Sequence, residues 1–176
     1  MQTSSLDHEV RRAHAIRFVL GAYDGVRTRP GKGLPHAQAV ADVLRTAGCD
    51  EDVQLIALLH DVIEDTPCTV DDVRAEFGDE TATMVDALSE DETIKHYQAR
   101  KRQLRARIVA AGTSVLDVSV ADKIATLRHA LVTGTVLSRR KLTHYRATLQ
   151  LALAGGGNEL LCIQLEDLLS ATAHRE

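Results

Sequence analysis

Four ionisable side chains stand together at the end of an apolar run, and their types and spacing could support metal-dependent or acid–base chemistry. They are His60, Asp61, Glu64 and Asp65, and the residues before them, 53–59, are nearly all apolar. On a helix, residues three and four positions apart share a face, so these side chains would be neighbours. Burying an imidazole beside three carboxylates costs about 2–5 kcal/mol unless a cation offsets the repulsion. The pattern therefore predicts a bound metal ion, with the remaining carboxylates available for proton transfer.

Two further residues could complete such a metal site. His36 would lie in the first turn of an earlier helix, and Asp122 occurs inside a later apolar stretch, which is an unusual place for an aspartate. A salt bridge to a lysine or arginine is the simpler explanation for Asp122, and metal ligation is the alternative. Two imidazoles (His36 and His60) and two carboxylates (Asp61 and Asp122) suit Mn²⁺, with Fe²⁺, Co²⁺ or Zn²⁺ as alternatives. Four protein ligands on an octahedral ion would leave two positions for water and a phosphate oxygen.

The elements that must position these residues are all predicted to be helices. The chain shows no strand alternation and no internal repeat, and its Ala-, Leu-, Arg- and Glu-rich composition favours helix. Thr69 with Asp72 resembles a capping box, Ser138 is placed to cap a later helix, and Gly112 and Gly134 end the helices before them. The fold class is all-α, a bundle of about eight to ten helices in one domain over residues 1–176. The main predicted helices are residues 36–44, a continuous central helix at 51–65, and the segments 79–88, 93–111, 114–128 and 159–171.

Composition excludes several functional classes. The 176 residues carry a net charge of −4, which gives no electrostatic basis for binding a nucleic acid polymer. Three isolated cysteines argue against a disulfide framework and favour a reducing compartment, so a cytoplasmic location is expected. No apolar window approaches the length of a membrane span, and the first twelve residues lack the apolar region of a signal peptide. A small anionic ligand is compatible with this composition, and the sequence carries no signal for oligomeric state.

An irregular basic loop precedes His36. Residues 24–35 contain three Gly and two Pro, with Arg27, Arg29 and Lys32 among them. Such a loop is most simply a solvated connection. Its position next to His36 favours the alternative, a lip that brings cations to a phosphate.

The ordered set His36, His60-Asp61 and Asp122 resembles the H…HD…D signature of the HD superfamily of metal-dependent phosphohydrolases. The segment 57–66, Ala-Leu-Leu-His-Asp-Val-Ile-Glu-Asp-Thr, is similar to the HD-x-x-ED block of Rel/SpoT alarmone hydrolase domains. The similarity extends from about residue 13 to residue 169, and the chain has no room for a synthetase half. It therefore resembles the stand-alone small alarmone hydrolases, such as the metazoan SpoT homologue type. Other matching segments are Glu76-Phe77-Gly78, residues 85–89, Arg100-Lys101-Arg102 and residues 120–128.

The resemblance implies a fold, an activity and roles for residues. It implies an HD-domain helical bundle that removes the 3′-pyrophosphate of guanosine tetra- and pentaphosphate, (p)ppGpp, with Mn²⁺. It implies that His36, His60, Asp61 and Asp122 hold the ion. Glu64 and Asp65 would position or deprotonate the attacking water and protonate the leaving oxygen. The residues expected to contact the small nucleotide substrate are Arg27 or Arg29, Lys95, Thr126, and Arg140 or Lys141 with His144 or Tyr145.

Three departures from the family pattern concern substrate contacts. Thr126 stands where the family has an asparagine near the nucleoside, and Gly33-Leu34-Pro35 replaces an aromatic segment before His36. The basic loop is also altered, with Arg27 or Arg29 where an arginine would face the purine or phosphate. Thr126 and the missing aromatic favour an alternative function: hydrolysis of another small phosphorylated nucleotide, such as an adenosine analogue, a 3′-phosphonucleotide or NADPH. A non-catalytic nucleotide-binding module is a third alternative, against which the complete set of six ionisable residues argues.

Overall fold

The computed structural model describes residues 5–28 and 31–173, which form ten α-helical segments and contain no β-strand. The all-α class expected from the sequence is therefore confirmed. In chain order the segments are α1 (Ser5–Ala22), α2 (Leu34–Thr46), α3 (Glu51–Leu59), α4 (Val62–Asp65), α5 (Val70–Phe77), α6 (Asp79–Leu88), α7 (Tyr97–Ala111), α8 (Thr113–Thr133), α9 (Arg139–Gly155) and α10 (Glu159–Ala173).

Helix α8 is the central element of the bundle. It packs against α2, α3, α6, α7, α9 and α10, and most of its residues from 115 to 127 are buried. Its apolar faces explain this position, because a helix that is apolar nearly all round must be covered on every side. Gly134, in the left-handed conformation at φ 70°, ends the helix, as predicted from the sequence. Asp117, Asp122 and Lys123 are its charged residues in this stretch, so α8 carries ionisable groups into the interior.

One apolar core joins the helices around α8. Leu44 of α2, Leu58 of α3, Ile124 and Leu127 of α8, and Leu161 of α10 are each at most 1% exposed. Burying a side chain of this size contributes about 1.5–3 kcal/mol. These contacts fix α2, α3 and α8 relative to one another; His36 lies on α2, Asp122 on α8, and His60 directly follows α3.

The predicted continuous helix over residues 51–65 is wrong, because the helix is interrupted at His60 and Asp61. Helix α3 ends at Leu59, Asp61 has φ −98° and ψ −5°, and the single turn α4 starts at Val62. The Nδ1 atom of His60 lies 2.6 Å from the carbonyl oxygen of Ala57. In a continuing helix that oxygen would accept from the amide of residue 61. The side chain of His60 thus competes with the backbone where the helix breaks.

Helix α7 starts at Tyr97, four residues later than predicted. The side chain of Asp91 accepts hydrogen bonds from the amide and hydroxyl of Thr93 at 3.0 and 2.6 Å. This local turn satisfies the backbone in a non-helical conformation.

Two helix caps expected from the sequence are present. Thr69 and Asp72 form a reciprocal capping box at the start of α5, and the Ser138 side chain accepts from the amide of Lys141 in α9.

Among the described residues, no helix is both long enough and apolar enough to cross a lipid bilayer.

Candidate metal centre and substrate cavity

A cavity of about 660 Å³ opens between α2, the α3–α4 break, α7, α8 and α9. This size lies within the range of about 300–1,000 Å³ that is usual for small-molecule sites. Its wall is rich in charge and contains histidines, carboxylates and lysines. The wall residues that bear on the chemistry are Lys32, His36, His60, Asp61, Glu64, Glu90, Tyr97, Lys101, Asp122, Lys123, Thr126, Lys141, His144 and Tyr145.

Three of the four predicted metal ligands have nitrogen or oxygen atoms that all lie within 4.8 Å of one another, namely His36, His60 and Asp122. The Nε2 atom of His36 is 3.0 Å from Oδ1 of Asp122. The fourth, Asp61, places Oδ1 3.3 Å from Nε2 of His60 and Oδ2 4.0 Å from Nε2 of His36. Residues separated by up to 86 positions in the chain thus converge on one point.

The state of His60 indicates that this point fits a divalent cation. Its ring is 5% exposed, and Nδ1 lies 2.6 Å from the carbonyl oxygen of Ala57, which can only accept, so Nδ1 carries the proton. The Nε2 atom is therefore a lone-pair acceptor, and it is buried without a hydrogen-bond partner among the described residues. A histidine that binds a metal through one nitrogen and donates from the other to a carbonyl has this arrangement. Two imidazoles and two carboxylates form a donor set that suits Mn²⁺, Fe²⁺, Co²⁺ or Zn²⁺.

The charges around the cluster favour ionised aspartates. Burial opposes ionisation of Asp122, but Lys123, 2.8 Å away, and the contact with His36 outweigh it and hold the pKa of Asp122 well below its usual value. Burial also opposes ionisation of Asp61, whereas the positive charge of Lys32 lowers its pKa. The Nζ atom of Lys32 is 2.7 Å from Asp61. Both carboxylates are therefore in the form that binds a cation.

The two predicted catalytic carboxylates occupy different surroundings. Glu64 lines the cavity, and its Oε2 accepts from the backbone amide of Glu90 at 3.2 Å. Burial, together with the nearby charges of Asp61 and Glu90, raises the pKa of Glu64 to about 7. Asp65 does not line the cavity. Its Oδ2 lies 3.1 Å from Nζ of Lys32 and accepts a hydrogen bond from the hydroxyl of Tyr23 at 3.3 Å.

Four of the predicted substrate contacts line the cavity: Thr126, Lys141, and both alternatives of the pair His144 and Tyr145. Tyr145 is 3% exposed, and the Lys141 ammonium lies 5.8 Å from the centre of its ring. The Thr126 hydroxyl is directed toward Asp122, with 3.4 Å between Oγ1 and Oδ1.

The other predicted substrate contacts do not line the cavity. Arg27 is exposed on the loop before α2. Lys95 is exposed and donates to the carbonyl oxygen of Glu92 at 3.0 Å. Arg140 is exposed, with its guanidinium 4.0 Å from the centre of the Tyr97 ring. Arg29 lies outside the described residues.

Three lysines that the fold brings to the cavity were not predicted to contact the carboxylates beside them. Lys32 contacts Asp61 and Asp65, Lys101 forms an ion pair with Glu90, and Lys123 contacts Asp122. Lys123 gave a usable signal, because a lysine inside a buried helix needs a partner and Asp122 is adjacent. Lys32 was expected only as one of the cations that the loop before His36 could bring to a phosphate, and Lys101 could not be told from its basic neighbours.

Comparison with known proteins identifies the family. A family model described as HD domain matches residues 15–150. A guanosine-3′,5′-bis(diphosphate) 3′-pyrophosphohydrolase of Haemophilus influenzae is 31% identical over 148 residues, which are 80% of this chain and 22% of that protein. The bifunctional (p)ppGpp synthase/hydrolase SpoT of Escherichia coli is 30% identical over 135 residues, 73% of this chain and 19% of that protein. The chain thus spans about a fifth of the length of these two curated relatives.

Two solved structures share the fold. One is a metazoan orthologue of SpoT that hydrolyses ppGpp, with a TM-score of 0.76, 23% identity and 97% of each chain covered. The other is a Listeria monocytogenes protein, with a TM-score of 0.66 and 27% identity over 78% of this chain and 94% of that one. These similarities agree with the resemblance inferred from the motifs. Since the family model covers most of the sequence, the chain belongs to the HD domain family.

Proposed function

We propose that this protein is a metal-dependent pyrophosphohydrolase that removes the 3′-pyrophosphate of guanosine tetra- and pentaphosphate. One observation carries the proposal: the His36, His60, Asp61 and Asp122 cluster and Glu64 share one cavity with a wall of lysines. Such a cavity combines a place for a cation, a carboxylate for proton transfer and positive charge for phosphates. The H. influenzae and E. coli relatives, whose names state this activity, support the choice of substrate.

We propose Mn²⁺ as the ion, held by His36, His60, Asp61 and Asp122. When bound, a divalent cation lowers the pKa of water toward about 7 and withdraws charge from a phosphoryl group. The chain fixes the position of that chemistry through ligands from α2, the α3–α4 break and α8. The ammonium of Lys123 holds the Oδ2 atom of Asp122, so Oδ1 faces His36.

Glu64 and Asp65 would divide the proton transfers. The oxygen of water forms a bond to the phosphorus next to the ribose, the bond from that phosphorus to the ribose 3′ oxygen breaks, and pyrophosphate leaves. Because the pKa of Glu64 is raised to about 7, this carboxyl group holds a proton in a large fraction of molecules at neutral pH and can donate it to the 3′ oxygen. Asp65 is held at Oδ2 by Lys32 and Tyr23, and we assign it as the base that takes the proton of water.

The cavity wall suggests how the substrate phosphates would be bound. Of the predicted pair Arg140 and Lys141, we favour Lys141, because it lines the cavity and Arg140 stacks on Tyr97 outside it. Tyr145 would contact the same end of the substrate. Candidates for the outer, solvent-facing part are Arg27 and Lys95. Arg29 stays a predicted contact that lies outside the described residues. A cytoplasmic location, where such nucleotides occur, is part of this proposal.

A second candidate function is hydrolysis of a different small phosphorylated nucleotide. The observation that favours it is the Thr126 hydroxyl, which is directed toward Asp122. A threonine also lacks the paired donor and acceptor with which an asparagine amide could read a base. The metal centre and the proton-transfer residues would be the same for both substrates.

A hydrolysis assay over a panel of nucleotides with Mn²⁺ tests both candidates. Release of pyrophosphate and guanosine diphosphate from ppGpp is the expected result, with Asp61→Ala as the inactive, folded control. Preferential hydrolysis of an adenosine analogue, a 3′-phosphonucleotide or NADPH would establish the second candidate. If the purified protein bound no transition metal and hydrolysed none of these compounds, the hydrolase assignment would be wrong.

A further inference from the structure

His144 is a buried histidine in the cavity wall to which the proposed reaction gives no role. It lies on α9, is 4% exposed, and packs edge-on against Tyr145 with 5.8 Å between ring centres. Within the described residues its side chain forms one hydrogen bond, with Arg105 of α7, whose Nη1 lies 2.8 Å from Nδ1 of the ring. His144 is not part of the metal cluster.

The contact with Arg105 fixes the position of the proton on the imidazole. A guanidinium can only donate hydrogen bonds, so Nδ1 of His144 must be the acceptor. In a neutral ring with an acceptor at Nδ1, the proton is carried by Nε2. The structure therefore defines one tautomer of His144, with an N–H donor at Nε2.

The surroundings also keep the ring neutral. Burial is the largest cause that lowers the pKa of His144, and the positive charges of Lys123, Lys101 and Arg105 lower it further, to about 2. Asp122 acts in the opposite direction and is outweighed. These are the charged groups that α7 and α8 place against the ring. His144 is thus a permanent neutral donor over the physiological pH range.

The chemistry of this part of the wall matches a phosphoryl oxygen. Nε2 of His144 has no hydrogen-bond partner within residues 5–28 and 31–173, and the ring faces the cavity. Lys141, three residues earlier on α9, lines the same cavity and forms no ion pair in that part of the chain. Lys101 and Lys123 are engaged by Glu90 and Asp122. An oriented N–H beside an uncompensated ammonium is suited to bind an anionic oxygen acceptor.

We propose that His144 donates a hydrogen bond from Nε2 to a phosphoryl oxygen of the substrate, and that Arg105 is a positioning residue that fixes this tautomer. The inference rests on the proposed function, because it names a contact inside the same cavity. A neutral donor offers a contact that does not change with pH. It also cannot take up the proton that the reaction must deliver to the leaving oxygen.

Nuclear magnetic resonance of the unmodified, metal-free protein tests the proposal without measuring activity. Long-range ¹H–¹⁵N spectra of ¹⁵N-histidine-labelled protein distinguish imidazolium from the two neutral tautomers, and His144→Gln assigns the signal. The expected result is a neutral ring protonated at Nε2 from pH 5.5 to 8, with a shift of that signal on adding inorganic pyrophosphate. An imidazolium, an Nδ1-protonated ring, or no response to pyrophosphate would overturn the proposal.

Calorimetric titration with pyrophosphate measures the contribution of the contact. A hydrogen bond to a charged group contributes enough that His144→Leu should weaken binding roughly 10–100-fold. His144→Gln, which keeps an N–H donor at a similar reach, should stay within about threefold of the unmodified protein. His129→Leu removes another histidine of the wall and serves as the matched control. Equal losses in the Gln and Leu variants would show that His144 acts through packing alone.

A double-mutant cycle tests the role of Arg105. Arg105→Met should weaken pyrophosphate binding in the unmodified background and have a much smaller effect in His144→Leu, because the tautomer no longer matters there. Equal effects in both backgrounds would mean that Arg105 contributes only its charge. If ppGpp is not hydrolysed but pyrophosphate shifts the His144 signal, the proposed function alone is rejected. If ppGpp is hydrolysed and His144→Leu leaves KM and kcat unchanged, this inference alone is rejected.

Discussion

Replacing His60 by alanine should remove most of the stabilisation that a divalent ion gives to the folded protein. The Nε2 atom of His60 is buried without a hydrogen-bond partner in the described part of the chain, so it is available as a ligand. An ion at 100 times its dissociation constant stabilises the folded state by about 2.7 kcal/mol. For a domain of this size, each kcal/mol corresponds to about 2–4 °C in Tm, so Mn²⁺ should raise Tm by about 5–11 °C.

The His60→Ala variant should respond far less at the same ion concentration. His60 is a direct ligand in this proposal, so its loss should cost at least the roughly hundredfold in affinity that is the upper end for an outer-shell partner. A hundredfold loss would leave about 0.4 kcal/mol, or about 1–2 °C. Calorimetric Tm measurements with Mn²⁺ and with a chelator, accompanied by metal analysis, would determine both shifts. His129→Ala, a histidine of the same cavity outside the cluster, should keep the full shift. If His60→Ala also keeps the full Tm shift with Mn²⁺, the assignment of His60 as a metal ligand is refuted.

Three further predictions concern proton transfer, helix capping and pH. Glu64→Gln should bind metal normally and lower kcat by roughly 10²–10⁴-fold, since it removes the proton donor; full activity in steady-state assays would disprove that role. Thr69→Ala should destabilise the fold by about 0.5–2 kcal/mol in urea unfolding, whereas Thr69→Ser should be close to neutral. Burial raises the pKa of Glu90, but Lys101 and Arg100 outweigh it and hold the pKa below the ordinary 4.5. The stability that ionised Glu90 contributes is therefore fully present above pH 4.5, and it is lost as the pH falls through the lower pKa of Glu90 in the folded protein. Glu90→Gln should reduce the pH dependence of the free energy of unfolding in that acid range. An unchanged pH dependence would contradict the ion pairing of Glu90 with Lys101 and Arg100.

The positions that converge on the cluster could be predicted because each left a local trace in the sequence. His60 and Asp61 end an apolar run, and Asp122 interrupts another. An aspartate is rarely buried without a partner, so its place in an apolar stretch indicates a specific contact. His36 was placed by the helix that it opens. The structure brings these four side chains together, as the spacing suggested.

The contacts made by cavity lysines could not be predicted, because they depend on how distant helices pack. Lys95 and Lys101 belong to the same basic segment, yet Lys95 is exposed and Lys101 lines the cavity beside Glu90. Nothing in the composition around the two residues separates them. Lys95 precedes the start of α7 at Tyr97, whereas Lys101 lies within that helix.

The interruption after α3 has a consequence for any attempt to transplant this cluster. Adjacent residues of a regular helix project about 100° apart, because the helix has 3.6 residues per turn. His60 and Asp61 are adjacent, yet their side-chain atoms approach to 3.3 Å, which the change of backbone direction between Leu59 and Val62 allows. A straight helical scaffold that received only the two side chains would point them away from each other. An engineered copy must therefore reproduce the broken turn along with the residues.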